Sequence, residues 1–330
     1  MNVETINNNK IKSKVIKVVS YFSKRHKLLF LFIYIIFLFV KFIIKAYNYK
    51  SKKFAILRRE NTTCGLFSFY IIFLGCINKY INEEYIPIVD LKLYPNVYNG
   101  LSTYINYNPW ELFFEQPYRY TMEEVLKNAK NIVFIKCNKI KFSYPSQNIY
   151  YNNELIRFWS HLAMKYIPIK NQIQRESKYK IHKLFKNSNN VLGVKIRGTE
   201  YVAMKPKYHP IPPALEVAIK DVKNLDLKNY YDWIFISSED NKIKEGFINE
   251  FKNKIRFLNS KTKVNYKGKN FFVRSKEVLG NIEYAKNYVM NIYILSKCTD
   301  LVMSRGSGSV GVILFANGFR NSLIYNLGVY

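Results

Sequence analysis

Apolar residues gather along this chain in short runs separated by polar turns, and the rhythm inside the runs changes with position. Near the amino terminus, residues 28–40 are thirteen consecutive apolar positions, followed by Lys41 and Phe42-Ile43-Ile44. That run predicts a helix. A bilayer span takes roughly 20 residues, with about 17 as the lower limit. Residues 28–44 only reach that limit, and only if Lys41 snorkels to a headgroup. No small-x-small cleavage site follows, which argues against a signal peptide. Lysines and arginines flank the run on both sides, from Lys10 to Lys27 and from Lys45 to Arg59. The expectation is an anchor segment, residues 1–53, on an anionic membrane surface, either spanning or lying in the interface. The globular part is then expected on the cytoplasmic side. A buried core helix is the alternative.

Beyond residue 53 the pattern alternates. Apolar runs at 54–57, 85–90 and 131–135 predict strands, and helical periodicity at 122–130 lies between the last two. Thr62 or Thr63 is placed to cap a helix carrying Phe69, Ile72, Phe73 and Ile77. Residues 153–186 predict a long basic helical connector interrupted at Pro168. The alternation then resumes more clearly. Strands are predicted at 191–196, 233–237, 255–258, 301–304 and 322–325, and helices at 214–222, 242–251, 282–297 and 310–316. Strand–helix alternation is the signature of parallel α/β sheets. The expected fold is therefore α/β: a first domain at 54–150, a helical linker at 151–187 and a Rossmann-like domain at 188–330. Two such domains face each other across a cleft, and ligands bind at the carboxyl edges of their strands.

Composition adjusts this picture in two ways. The 330 residues carry 52 Lys+Arg against 23 Asp+Glu, a formal charge of +29. That invites a nucleic-acid reading, but 41 of the 52 are Lys, scattered singly among apolar residues. A nucleic-acid binder concentrates its basic residues in a stripe, so the charge points to anionic surfaces and no specific nucleic acid. The four cysteines, Cys64, Cys76, Cys137 and Cys298, form no C-x-x-C pair. A zinc ribbon and a disulfide mini-scaffold are thereby excluded.

Candidate chemistry falls on three loops at one edge of the second predicted sheet. In Val194-Lys195-Ile196-Arg197-Gly198-Thr199-Glu200-Tyr201, an arginine leaves a strand into a glycine turn. Its planar fork there can hold a phosphate through two bonds or make an ordinary salt bridge, and Glu200 is near enough in sequence to orient it. In Ser304-Arg305-Gly306-Ser307-Gly308-Ser309-Val310-Gly311, a strand–turn–helix offers backbone N–H groups to a diphosphate. It is neither a G-x-G-x-x-G nor a P-loop. Ser237-Ser238-Glu239-Asp240 follows another strand, where capping and a nucleotide contact are compatible. His209, in a proline-rich loop, is a candidate base, a hydroxyl contact or a backbone-bonded loop residue. No D-x-D, H-E-x-x-H or G-x-S-x-G motif is present, so no metal site and no serine nucleophile are expected.

These segments, with His209-Pro210, resemble the three characteristic stretches of the fucosyltransferase-like glycosyltransferases. That family includes the α1,6- and protein O-fucosyltransferases and bacterial polysaccharide enzymes. Bacterial members are also similar around Cys64-Gly65-Leu66-Phe67-Ser68, Tyr85-Ile86-Pro87-Ile88-Val89-Asp90 and Trp110-Glu111-Leu112-Phe113-Phe114-Glu115-Gln116-Pro117. The likeness covers residues 54–330. It implies a GT-B-like fold, a GDP-sugar donor, GDP-fucose above all, inversion at the sugar carbon, and no cofactor or obligatory metal. Arg197 would hold the diphosphate and act in catalysis. Gly198, Ser237, Ser238, Asp240, Ser307, Gly308 and Ser309 would cradle the donor. Glu200, His209, Gly65, Ser68, Trp110 and Glu111 are the supporting or acceptor-side candidates, the acceptor being a glycan or lipid-linked saccharide. Two positions depart from the pattern: Glu200 stands where Asp is usual, and Pro212 where Gln is common. The alternatives are a transferase for another nucleotide-sugar, or a catalytically idle membrane-bound protein that binds glycan or nucleotide.

Overall fold

A computed structural model describes residues 27–61, 64–102, 104–259, 279–316 and 318–330. The chain forms two compact units: the segment up to Lys52 together with Val125–Asn131, and Lys53–Glu124 together with Ile132–Tyr330.

In the first unit the apolar run forms helix α1 (Lys27–Ser51). Its residues 31–40 are all exposed, from 45% at Leu38 to 63% at Phe39. This corrects the buried-core alternative, because a core helix hides such side chains. Among the described residues no helix is long and apolar enough to cross a membrane, which leaves the spanning form of the anchor unsupported. Residues 1–26 and the side chain of Lys41 lie outside the described residues.

The second unit opens with β1 (Lys53–Arg58), α2 (Leu66–Asn82) and β2 (Ile86–Asp90), followed by the short α3 (Trp110–Phe113); α4 (Met122–Asn128) runs from it into the first unit, and the chain returns to it in β3 (Asn131–Lys136). The strands form a sheet in the order β2-β1-β3. The central strand buries Phe54, Ala55, Ile56 and Leu57 completely, as a strand covered on both faces requires. β1 and β2 run parallel with Phe54 opposite Ile86 and Leu57 opposite Val89. An Arg58–Asp90 ion pair of 2.7 Å ties their carboxyl ends. The α2 helix starts at Leu66 behind Gly65, which offers no side-chain cap; Thr62 and Thr63, the expected caps, lie outside the described residues. Helices α5 (Asn153–Tyr166) and α6 (Asn171–Phe185) form the connector, broken around Pro168 as the sequence predicts.

The remaining elements are β4 (Val191–Lys195), α7 (Thr199–Met204), α8 (Leu215–Asn229), β5 (Trp233–Ser237), α9 (Asn241–Phe251), β6 (Ile255–Arg256), α10 (Ile282–Leu295), β7 (Asp300–Ser304), α11 (Ser307–Phe315) and β8 (Ser322–Tyr325). Strand β6 is shorter than its apolar run suggested. Helix α11 starts three residues earlier than predicted, so Ser307-Gly308-Ser309 is its first turn. The five strands form a parallel sheet in the order β6-β5-β4-β7-β8. The chain begins in the middle, steps outward to β6, then returns to the other side of β4. The strand order therefore reverses between β4 and β7, and crevices open at such reversals.

Residues on alternate sides of each strand serve two cores. Leu192, Val194, Ile234 and Ile236 pack with Ala218, Val222 and Phe247 on one face. On the other, Phe235, Leu301 and Met303 join a larger cluster with α10, α11, α2 and the first sheet. Gly311 explains how closely α11 approaches α2: a Cβ there would stand 2.3 Å from the Phe67 ring. Any side chain would push the two helices apart.

Candidate active site

At the β4–β7 reversal the strand ends release two loops side by side. The backbone N–H of Arg197 donates to Ser304 Oγ at 3.3 Å, which fixes the first loop against the end of β7. The loop after β5 is pressed just as tightly on the other side, since a Cβ on Gly198 would lie 2.2 Å from Asp240 Cβ. Beyond β7 the chain turns sharply at Gly306, whose φ of +151° and ψ of 167° suit glycine alone. Tyr150 locks this turn by donating from Oη to the Gly306 carbonyl at 2.9 Å. Burial pushes that phenol well above its ordinary pKa, so it stays a donor. Helix α11 then starts with no side-chain cap. Its first-turn N–H groups carry the positive end of the helix dipole.

Arg197 is held from two directions. Its Nη1 lies 3.2 Å from Glu239 Oε2, and Nη2 donates to Tyr201 Oη at 3.0 Å. The guanidinium also lies 4.3 Å from the Tyr201 ring centroid. Burial acts to raise the Glu239 pKa, but the charges of Arg197 and Lys195 outweigh it and hold the carboxyl below its ordinary value. A carboxyl depressed in this way is ionised at neutral pH, and the ion pair is lost only as pH falls through that lowered value.

These groups line a cavity of about 510 Å³. Lys195, Arg197 and Arg305 bring three cationic side chains to it, and Glu239 is the one carboxylate among the described residues lining it. The first turn of α11, from Gly306 to Ser309, forms part of the wall. Cys64, Gly65, Phe67 and Ser68, at the start of α2, face it from the first sheet's side. Tyr98, Tyr284 and Tyr288 supply an aromatic wall, and the loop carrying His209 closes another side. The arrangement suits a ligand that combines anionic with flat or CH-rich groups.

Seven of the residues singled out from sequence meet here: Arg197, Ser307, Gly308, Ser309, His209, Gly65 and Ser68. Some are already engaged. Ser309 Oγ donates to the Ser304 carbonyl at 2.6 Å, so its N–H remains the more useful group. Ser68 Oγ accepts from Arg59 at 3.2 Å. His209 Nδ1 sits 3.1 Å from the Lys207 carbonyl, the backbone-bonded arrangement. A carbonyl can only accept, so Nδ1 is the donor in this contact.

The others stand apart from the cavity. Gly198 packs on Asp240, as above. Asp240 caps α9 by accepting from the Lys242 N–H at 2.8 Å, and Ser238 Oγ accepts from the Asp240 N–H at 3.2 Å. Ser237 ends β5, paired with Lys195. Trp110 is completely buried, with Nε1 donating to the Glu115 carbonyl at 3.3 Å. Glu111 Oε1 accepts from Gln116 at 3.0 Å and from the Met122 N–H at 2.9 Å. Both are engaged within their own segment, outside the cavity. The side chain of Glu200 lies outside the described residues; the carboxylate on Arg197 Nη1 is that of Glu239. Sequence reasoning missed Lys195, Glu239 and the three tyrosines as lining residues. Signals existed for three of these: Lys195 is two residues before Arg197, hence on the same side of the strand, and Tyr284 and Tyr288 share a helix face.

No protein-family model matches the chain, and no curated protein does. Solved structures do. The chain is similar to the NodZ α-1,6-fucosyltransferase soaked with GDP-fucose, at 12% identity and a TM-score of 0.45, over 80% of this chain and 93% of that one. The NodZ fucosyltransferase from Bradyrhizobium is similar at 12% identity and a TM-score of 0.45, over 81% and 94%. The apo form of POFUT1 is similar at 8% identity and a TM-score of 0.44, over 84% and 99%.

Proposed function

We propose that this chain is a glycosyltransferase that moves fucose from GDP-fucose to a glycan or lipid-linked saccharide, with inversion. The observation that carries the reading is the meeting of Arg197 and the uncapped start of α11 in one cavity, at the strand reversal of a parallel sheet. The choice of GDP-fucose rests on the sequence motifs around Arg197, Ser237 and Ser307.

In the reaction an acceptor hydroxyl oxygen attacks the anomeric carbon as the bond from that carbon to the β-phosphate oxygen breaks. The bonding pair leaves with the phosphate. Attack from the face opposite the leaving group inverts the centre, and the acceptor proton passes to a nearby base or water. Negative charge builds on the β-phosphate, where a fixed guanidinium and helix N–H groups stabilise the transition state more than the ground state. Arg197 exchanges its carboxylate partner Glu239 for phosphate oxygens, and Tyr201 keeps the fork aligned.

Because fixed cations meet the diphosphate charge, release of GDP from GDP-fucose should continue in excess EDTA. Complete loss on chelation, reversed by Mn²⁺ or Mg²⁺, would assign the chain to a metal-dependent class.

The exposed run on α1 completes the proposal: this helix lies on an anionic membrane surface and keeps the protein near a lipid-linked acceptor. The full chain should sediment with vesicles containing anionic lipid, and replacement of Phe32, Ile36 and Phe39 by Ser should release it. Unchanged sedimentation of that variant would remove α1 from the account.

A further inference from the structure

Pro206, Tyr208, His209 and Pro210 form one wall of the cavity. Two non-glycine residues of this loop, Lys205 and Tyr208, have φ of +42° and +63°, values that persist only where the surroundings hold them. The segment after β8 is bonded along the loop. Tyr208 N–H donates to the Tyr330 carbonyl at 3.0 Å, Tyr330 N–H to the His209 carbonyl at 3.0 Å, and Ile211 N–H to the Gly328 carbonyl at 3.1 Å. Pro210 and Val329 form an antiparallel bridge within this ribbon. At the segment's start, Asn326 Oδ1 accepts from Nη1 of Arg305, another residue of the cavity wall. Residues 326–330 themselves stand outside the cavity lining. Leu327 and Val329 are 50% and 53% exposed, so burial of apolar surface does not explain why the segment is held here.

The ribbon reaches Arg197 through two further contacts. The His209 ring stands edge-on to Tyr201 at a centroid distance of 5.4 Å, and Tyr201 Oη accepts from Arg197 Nη2 at 3.0 Å. We infer that residues 326–330 are a strap that positions the Arg197 fork and the His209 wall from outside the cavity. Affinity for a diphosphate then depends on residues that never touch it. The inference rests on the reading of the cavity as a nucleoside-diphosphate site and adds what holds that site in its binding arrangement. The strap acts through main-chain groups, and its conformational demand falls on Gly328, at a φ of +87°. A Cβ there would meet nothing within 4 Å, so a substitution at this position acts on the backbone conformation alone.

The test is amide hydrogen exchange without ligand, then titration calorimetry with GDP and with inorganic pyrophosphate. Wild type is compared with a chain ending at Tyr325 and with Gly328→Val and Gly328→Asn, each first shown to melt cooperatively. If the shortened chain does not fold, the Gly328 pair carries the test. Tyr208 and Ile211 lose their acceptors in the shortened chain, so their amides exchange faster in any case. A strap predicts that faster exchange, by about 10-fold, spreads into α7 while β4 keeps its wild-type rate. GDP and pyrophosphate should each bind about 10-fold more weakly, as when the binding arrangement is populated about a tenth of the time. Gly328→Val should weaken them about 3- to 10-fold, whereas Gly328→Asn, which tolerates positive φ, should stay within about twofold of wild type. Faster exchange confined to the 208–211 ribbon overturns the inference, and so does wild-type affinity for both ligands in the shortened chain. Should wild type bind neither ligand, the nucleotide reading fails on its own: spread of exchange into α7 still upholds the strap, and its confinement to the ribbon still overturns it.

Discussion

Arg197→Ala should lower kcat for GDP-fucose turnover by about 10²- to 10³-fold, the usual cost of removing a donor aimed at developing charge. Arg197→Lys should recover little of it. The guanidinium can stay on Tyr201 through Nη2 while the nitrogen that pairs with Glu239 turns to the phosphate, and an ammonium at the end of a flexible stem cannot hold one contact and bridge phosphate oxygens in a fixed fork. The loss should fall on kcat more than on KM, because the charge it meets grows during bond breaking. Removing the arginine also leaves Glu239 facing the cavity without its closest cation. Each variant must therefore be shown to melt cooperatively before its kinetics are read. Arg305→Ala is the control. Arg305 lines the same cavity, but its Nη1 is engaged by Asn326 Oδ1, so its loss should cost far less. Near-normal kcat in Arg197→Lys, or a worse outcome for Arg305→Ala, would remove Arg197 from the diphosphate.

Trp110→Ala should destabilise the protein by about 3–5 kcal/mol, the range for emptying a fully buried aromatic site. The indole is stacked on Tyr70 at 5.8 Å, edge-on to Phe73 at 5.5 Å and against Phe114 at 4.6 Å. Aromatic contacts of this kind add to the area they bury. They link α2 to α3, and through Tyr70 and Phe315 to α11, at a centroid distance of 5.5 Å. Trp110→Phe should retain most of the stability. The measurement is the denaturation midpoint in urea, with GDP affinity recorded under native conditions. A midpoint unchanged from wild type alongside a raised acceptor KM would return Trp110 to the acceptor role that its sequence context suggests.

The contrast between these two residues shows what the chain discloses before folding. Strands such as 54–57 and 233–237 are legible because a strand covered on both faces is a continuous apolar run between turn residues. Arg197 is legible because the residue leaving such a strand into a glycine turn must lie at the ligand edge. Its partner is not. Glu200 is close in sequence, but Glu239 is close in space, since β4 and β5 pair in parallel with Lys195 opposite Ser237. Two residues past that pair on each strand are Arg197 and Glu239. Register depends on the lengths of the intervening helix and loops, which hydrophobic patterning leaves unspecified. Trp110 fails for a related reason. Its burial depends on Tyr70 and Phe73, some forty residues earlier in the sequence, and a local motif cannot tell a displayed tryptophan from a buried one. Helix α11 begins three residues before its apolar run because Ser and Gly read as a turn in sequence, although small residues also suit a helix start that leaves its backbone N–H groups accessible.

The central proposal is that the cavity is a nucleoside-diphosphate site centred on Arg197. Calorimetric titration of the purified full chain with GDP, UDP and CDP in EDTA-containing buffer tests this most directly. The expected result is saturable binding of GDP in preference to the other two, weakened about 10- to 100-fold in folded Arg197→Ala, because free GDP carries the full charge on its β-phosphate. Absence of heat with all three nucleotides, or GDP binding that Arg197→Ala leaves intact, would contradict it.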